Sequence, residues 1–335
     1  MNKCAIIMYH YVRELSYTRY PGIKGLKVSL FKEQLTYLRK YHNFVRSTDL
    51  IAAIYENKPL PENAVWLTFD DAYADHYTNV FPILDEMGIE GAFFAPVKAI
   101  TEHEVLDVNK VHFILASVKN INELVEDIYK LLNEHREQYN LQSNEYYFNK
   151  LAVANRFDPK EVIFVKRLLQ VELVEELRNR LTDILFKKYV SDDEAAFSRE
   201  LYMSKDQMKC MVRHGMYVGS HGYDHYWLNS LPVEKQISEI DKSLEFLKAI
   251  GSDVDNWIMC YPYGAYKNLH ENNLGGGSTV SSLIEVIRER GCKLALTTEV
   301  ASAILDKEHA FKLPRFDTND FPKDRNAEFR VVGAN

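Results

Sequence analysis

Six short, uninterrupted apolar runs separated by helical patterns constrain this chain more than any other feature. They are Cys4 to Met8, Ala64 to Phe69, Gly91 to Ala95, Met216 to Gly219, Trp257 to Tyr261 and Lys293 to Thr297. Continuous runs of this length suit strands covered on both faces, which means a parallel sheet with helical crossovers. The fold class is therefore α/β. A length of 335 residues allows one barrel-type domain or two ordinary ones.

Several helices announce their ends. Ser204 with Gln207 fits a capping box before a segment that stops near Gly215, and Pro232 with Glu234 opens a segment running to about Ile250. Between Thr101 and Arg199 strand signals vanish. There Asp158-Pro159-Lys160-Glu161 predicts the start of one long helix, with a stripe at Val162, Val165, Leu169, Leu173, Leu177, Leu181 and Ile184. Residues 101–199 thus read as a helical insertion within a single barrel spanning 1–335. Asn272 to Ser282, containing Gly275-Gly276-Gly277-Ser278, predicts a mobile loop.

Charge and composition exclude several classes. With 41 basic and 48 acidic residues the net charge is −7, so nucleic acid and anionic membrane surfaces are not expected partners. No apolar run reaches the roughly 20 residues of a membrane span. The apolar N-terminal run follows only Lys3, ends at His10 and lacks a small-residue cleavage site, so it reads as a strand and not a signal peptide. A cytoplasmic protein is the expectation. Cys4, Cys210, Cys260 and Cys292 form no Cys-x-x-Cys pair, which points to neither disulfides nor a cysteine zinc site.

The chemistry gathers where strands end. His10 follows the first run, Asp70 and Asp71 the second, His221 the fourth, and Pro262-Tyr263-Gly264 the fifth. In parallel α/β folds these C-terminal strand ends converge on one face and build the active site. One carboxylate of the Asp70-Asp71 pair with His221 and His225, at i and i+4, offers three protein ligands and leaves an open position, as a catalytic Zn²⁺ requires. The second Asp is then available as a general base.

Thr68-Phe69-Asp70-Asp71, Ser220-His221-Gly222-Tyr223-Asp224-His225, Tyr261-Pro262-Tyr263-Gly264 and Leu313-Pro314-Arg315 stand in the order of the motifs of the NodB-homology polysaccharide deacetylases, carbohydrate esterase family four. The chain resembles that family over about two thirds of its length, the insertion excepted. The resemblance implies a distorted (β/α) barrel of about seven strands and metal-dependent hydrolysis of N-acetyl groups on amino sugars. Carried over by position, it implies Asp70 as general base, Asp71, His221 and His225 as metal ligands, and the Tyr263 N–H as oxyanion donor. Zn²⁺ is the expected ion, and Ni²⁺ or Co²⁺ suits the same donors. Met8-Tyr9-His10-Tyr11-Val12 is similar to the arrangement in poly-N-acetylglucosamine deacetylases, which implies His10 as the general acid; His309, in Asp306-Lys307-Glu308-His309, reads as surface.

The chain departs from the family at three places. Ala72 stands where a Gly is usual, so a residue with Cβ must tolerate that backbone. Cys260 stands where many members have an arginine holding the catalytic Asp, a charge that Arg315 can supply. The loop after Gly264 is longer. The expected substrate is a nucleotide-linked, lipid-linked or glycan-precursor N-acetylated sugar in surface-polysaccharide or glycoconjugate biosynthesis. The alternatives are an amide hydrolase acting on a small non-sugar substrate and an inactive glycan-binding barrel. The insertion suits either a lid or a surface through which the chain would form a homo-oligomer.

Overall fold

Every one of the six apolar runs becomes a strand, because only a sheet covered on both faces satisfies continuous apolar sequence and backbone hydrogen bonding together. The computed structural model describes residues 2–154, 158–267 and 282–320. In chain order the strands are β1 (Lys3–Tyr9), β2 (Asn43–Phe44), β3 (Ala64–Asp70), β4 (Gly91–Ala95), β5 (Tyr217–Ser220), β6 (Ile258–Cys260), β7 (Leu294–Leu296), β8 (Ala303–Ile304) and β9 (Phe316–Asp317). The main path runs β7-β6-β5-β4-β3-β1-β8, with β2 on β3 and β9 on β1. All pairings are parallel except that of β8 with β1. The three two-residue strands carry too little sequence to show a pattern.

The sheet curls into a barrel closed by one late segment. Leu313 bridges Leu296 of β7, and β9, three residues on, pairs with β1. The backbone bonds Leu313 N→Ala295 O and Thr297 N→Leu313 O, both 2.9 Å, fix that closure. Arg315 lies between the two attachment points. This is the distorted seven-strand (β/α) barrel that the motifs imply. Below the strand ends, Tyr9, Phe69 and Phe93 face one another across β1, β3 and β4, with centroids 5.0 and 4.8 Å apart. These stacked rings form a rigid floor.

The chain divides into two compact units. The first comprises Met1–Glu14, Gly25–His103 and Arg199–Asn335 and holds the whole sheet; the second comprises Leu15–Lys24 and Glu104–Ser198 and is helical. Within the second, Tyr20 packs edge-on against Phe113 and Phe197, and Lys24 pairs with Asp158. Lys110, almost wholly buried, meets Asp183 and Glu194 at 2.5 and 2.8 Å.

The single long helix expected from Asp158 onward is two. Lys160–Arg167 passes into one π turn, Leu168–Glu172, and a second helix, Glu175–Tyr189, follows after an extended Leu173-Val174. The apolar spacing does not reveal the break, because Leu169, Leu173 and Leu177 stay buried through it. Glu175-Glu176 was the readable signal: acidic residues favour a helix's first turn. Ile184, expected in the stripe, is 40% exposed, and Leu185 and Phe186 are buried instead. Ser204 and Gln207 do form a capping box on Lys205–Arg213, and Pro232 caps Val233–Ile250, which ends at Gly251. Of the expected mobile loop, 272–281 lies outside the described residues.

Candidate active site

The strand ends bring the seven singled-out residues into one connected group. Asp70 closes β3 and Asp71 follows it; His221 follows β5; Tyr263 sits in the tight turn Pro262–Gly264 after β6. Asp71 Oδ1 lies 3.5 Å from His221 Nε2 and 3.4 Å from His225 Nε2, and all three residues are buried. Behind them Arg315 donates to both oxygens of Asp70, Nη1→Oδ1 at 2.9 Å and Nη2→Oδ2 at 2.8 Å. His10 Nε2 is 4.0 Å from Asp70 Oδ2, and its side chain is 40% exposed, so a substrate can reach it. The Tyr263 ring lies 4.8 Å from that of His225.

The donor set fits a small divalent cation. Ligands about 2.0–2.2 Å from a tetrahedral Zn²⁺ stand roughly 3.3–3.5 Å from each other, which is the separation between Asp71 Oδ1 and each histidine Nε2. Asp71 Oδ1 is buried and accepts no hydrogen bond among the described residues, while Oδ2 accepts from the Tyr73 hydroxyl at 2.6 Å. One carboxylate oxygen is thus tied off and the other faces the two imidazoles. His221 Nδ1 lies 2.7 Å from the Cys260 carbonyl, a bond in which the ring donates and which leaves Nε2 as its ligand atom. Burial holds His225 down near pKa 3, so it is neutral at physiological pH and its approach to Asp71 is not an ion pair. His221 is shifted the other way: burial opposes its protonation, but Cys260 and Asp71 beside it outweigh burial and raise its pKa, so a metal bound here displaces a proton from that ring.

A second grouping, Asp70 with His221 and Cys260, is less suited to a metal. Both Asp70 oxygens already face Arg315, and burial pushes the Cys260 thiol up, away from the thiolate. For Asp70, burial alone would raise the pKa; the charge and hydrogen bonds of Arg315 outweigh it and hold the carboxyl at about 2. The Arg315 side chain is 0% exposed and also donates to the Thr297 carbonyl and the Thr68 hydroxyl.

The backbone here is strained as functional loops often are. Asp71, Ala72, His225 and Tyr263 all have positive φ, at 72°, 53°, 55° and 58°. Ala72 therefore occupies the left-handed conformation that glycine would adopt at lower cost. At Gly264, φ is +70° and a Cβ would lie 2.3 Å from Thr298 Oγ1, so the turn that aims the Tyr263 N–H depends on that glycine.

Four residues that no sequence motif singles out join the group. Tyr73 bonds Asp71; Trp227 stacks on Tyr263 at 4.2 Å with ring planes 6° apart. His76, wholly buried, donates Nε2–H to the His10 carbonyl at 2.8 Å, and burial holds its pKa near 4, keeping it neutral. Glu239 accepts from the amides of Tyr223 and Asp224. His309 bonds Asp306 on its own loop at 2.8 Å.

Comparison with known proteins points the same way. A family model described as polysaccharide deacetylase matches residues 57–130 and 170–275, more than half of the chain. Those ranges include Asp70, Asp71, His221, His225 and Tyr263 and leave out His10 and Arg315. A poly-beta-1,6-N-acetyl-D-glucosamine N-deacetylase of Escherichia coli K12 is 45% identical over 61 residues, which is 18% of this chain and 9% of that protein. The chain thus spans about a tenth of the curated relatives it matches. Among solved structures, a Streptococcus pyogenes deacetylase, PplD, in complex with acetate superimposes with a TM-score of 0.56 at 16% identity, covering 94% of this chain and 92% of that one. IcaB from Ammonifex degensii gives 0.50 at 18% identity, covering 94% and 88%. At such identities the likeness is one of fold. No helix among the described residues is long and apolar enough to cross a membrane.

Proposed function

This chain belongs to the polysaccharide deacetylase family, and we propose that it hydrolyses the N-acetyl group of an amino sugar with the help of one divalent cation, Zn²⁺ in first place. The observation that carries this reading is the buried, unbonded Asp71 Oδ1 facing two histidine Nε2 atoms, beside an arginine-held carboxylate. The substrate class is supported by the E. coli relative, whose name describes an N-deacetylase of poly-N-acetylglucosamine.

Asp71, His221 and His225 would hold the cation, which when bound supplies Lewis acidity toward the amide carbonyl and the attacking water. Asp70, kept ionised by Arg315, takes the water's proton. The Tyr263 N–H, aimed by its left-handed turn, meets the negative charge that develops on the carbonyl oxygen; one such donor contributes about 3–4 kcal/mol. His10, reachable by substrate and 4.0 Å from Asp70, protonates the leaving amine. His76 fixes the His10 backbone.

Replacing His10 with alanine should lower kcat by about 10²–10⁴-fold and leave metal content at the wild-type level, read by metal analysis of the assayed sample. An unchanged rate would remove His10 from the acid role. The finer reading, a nucleotide-linked or lipid-linked precursor met in the cytoplasm during surface-glycan assembly, is tested by acetate release from a panel of nucleotide-linked, lipid-linked and polymeric N-acetyl sugars. Turnover confined to the polymer would replace the precursor. Release from none of them would favour a non-sugar amide or a glycan-binding role.

A further inference from the structure

The helix Val233–Ile250 buries three polar side chains, Gln236, Glu239 and Ser243, among Ile240, Phe246 and Leu247. Spaced at i, i+3 and i+7, they share one face. Buried polar groups on a core-facing stripe cost stability unless they are bonded. All three reach a single segment, residues 220–231, the segment that carries His221 and His225.

Ser243 Oγ and Ser220 Oγ are 2.8 Å apart, and Ser220 Oγ accepts from the Gly222 amide at 3.2 Å. Glu239 Oε2 accepts from two successive amides, Tyr223 N at 3.1 Å and Asp224 N at 2.8 Å. Gln236 Nε2 donates to the Leu231 carbonyl at 3.0 Å. The turn's carbonyls are taken up as well, Gly222 O by the Val97 amide at 3.4 Å and Tyr223 O by the Lys98 amide at 2.8 Å. Lys98 Nζ reaches Asp224 Oδ2 at 2.9 Å. Within this turn Gly222 and His225 have φ of +76° and +55°. A non-glycine residue in that conformation costs on the order of 1–3 kcal/mol and persists only where its surroundings fix it.

We propose that Glu239 is a positioning residue for the metal ligands: its one carboxylate oxygen, bonded to both amides, fixes the turn between His221 and His225 so that both Nε2 atoms reach Asp71 Oδ1. This rests on reading Asp71, His221 and His225 as the metal set. Glu239 lies 14 residues beyond His225, and its Oε2 bonds main-chain amides and not the ligand atoms themselves. It acts by holding backbone, the part played by outer partners at metal sites.

The test is zinc affinity of the full chain, measured by competition with a chromogenic chelator, for the wild type, Glu239→Gln and Glu239→Leu. Glutamine keeps an oxygen acceptor of the same reach, and its affinity should stay close to that of the wild type. Leucine has similar volume and no acceptor, and its affinity should fall about 10–100-fold. A purely structural role would lower the metal-free thermal midpoint of both variants without separating their affinities. Wild-type affinity in Glu239→Leu, or equal weakness in both variants, would overturn the proposal. If Glu239→Leu fails to fold, amide hydrogen exchange of the metal-free wild type decides. Protection at Tyr223 and Asp224 is expected, and exchange at free-peptide rates would overturn the assignment. A wild-type chain that binds no zinc overturns the ligand reading itself, independently of how the variants compare.

Discussion

Asp70→Asn is expected to retain the divalent ion and to lose turnover by about 10²–10⁴-fold, the contribution of a positioned proton acceptor. The amide matches the carboxylate in shape, and Asp71 keeps its bond from Tyr73, so the ligand set is undisturbed. What disappears is the capacity to take a proton. The change also leaves the wholly buried Arg315 guanidinium without its counter-charge. Stability therefore falls too, and turnover has to be read below the variant's unfolding transition, with metal content measured in the same sample. A near-normal rate would exclude Asp70 as the base.

Arg315→Met carries the largest expected effect on stability, a loss of about 3–5 kcal/mol at neutral pH, because it strands the Asp70 carboxylate in the interior. In the wild type the carboxyl is held at about 2, below its ordinary 3.8, so the pair's contribution is complete above about pH 4 and is lost as pH falls through 2. In the variant, burial is opposed only by the weaker pull of His221 and His10, and it raises the pKa instead. The ionised form is then penalised at neutral pH, and the penalty fades on acidification as the carboxyl protonates. The gap between wild type and variant should be widest near neutral pH and narrow on acidification, starting from the variant's raised pKa and ending near pH 2. Denaturant unfolding across that range measures it, and a gap independent of pH would contradict the pairing. In the double variant Asp70→Asn/Arg315→Met no charge is left unpaired, so its deficit should be smaller than the sum of the two.

The strands and their chemically active ends were legible because continuous apolar runs and the residues that stop them are local features. Asp70, Asp71, His221, His225 and Tyr263 stand out by type and by position after a strand. Arg315 was readable as a charge able to replace the arginine missing at Cys260. Its bidentate bond to Asp70, 245 residues away, depends on how the Leu313–Asp317 segment closes the sheet, which no spacing encodes. The break at Leu173-Val174 was hidden because two helices in succession kept the buried spacing of one. His76 is one polar residue in an aromatic segment, and nothing local signals that the fold buries it completely. Gln236, Glu239 and Ser243 could have been found. Three polar residues on the core-facing stripe of an otherwise ordinary amphipathic helix are improbable without buried partners.

These residues form one device for charge. Arg315 offsets the Asp70 carboxylate proposed as the base; Tyr73 ties off one oxygen of Asp71, the proposed ligand; burial keeps His225 neutral. On the proposed reading, what remains is an unbonded oxygen facing two imidazoles, an arrangement that a dication would complete.

That claim is tested most directly by acetate release from the sugar that the panel identifies, measured on the chain as isolated, after stripping with a chelator, and after one equivalent of Zn²⁺ is returned. Turnover is predicted to vanish on stripping and to recover with the metal in the wild type, and not to recover in His221→Ala. Turnover that persists undiminished in the stripped chain would contradict a metal-dependent site at Asp71, His221 and His225.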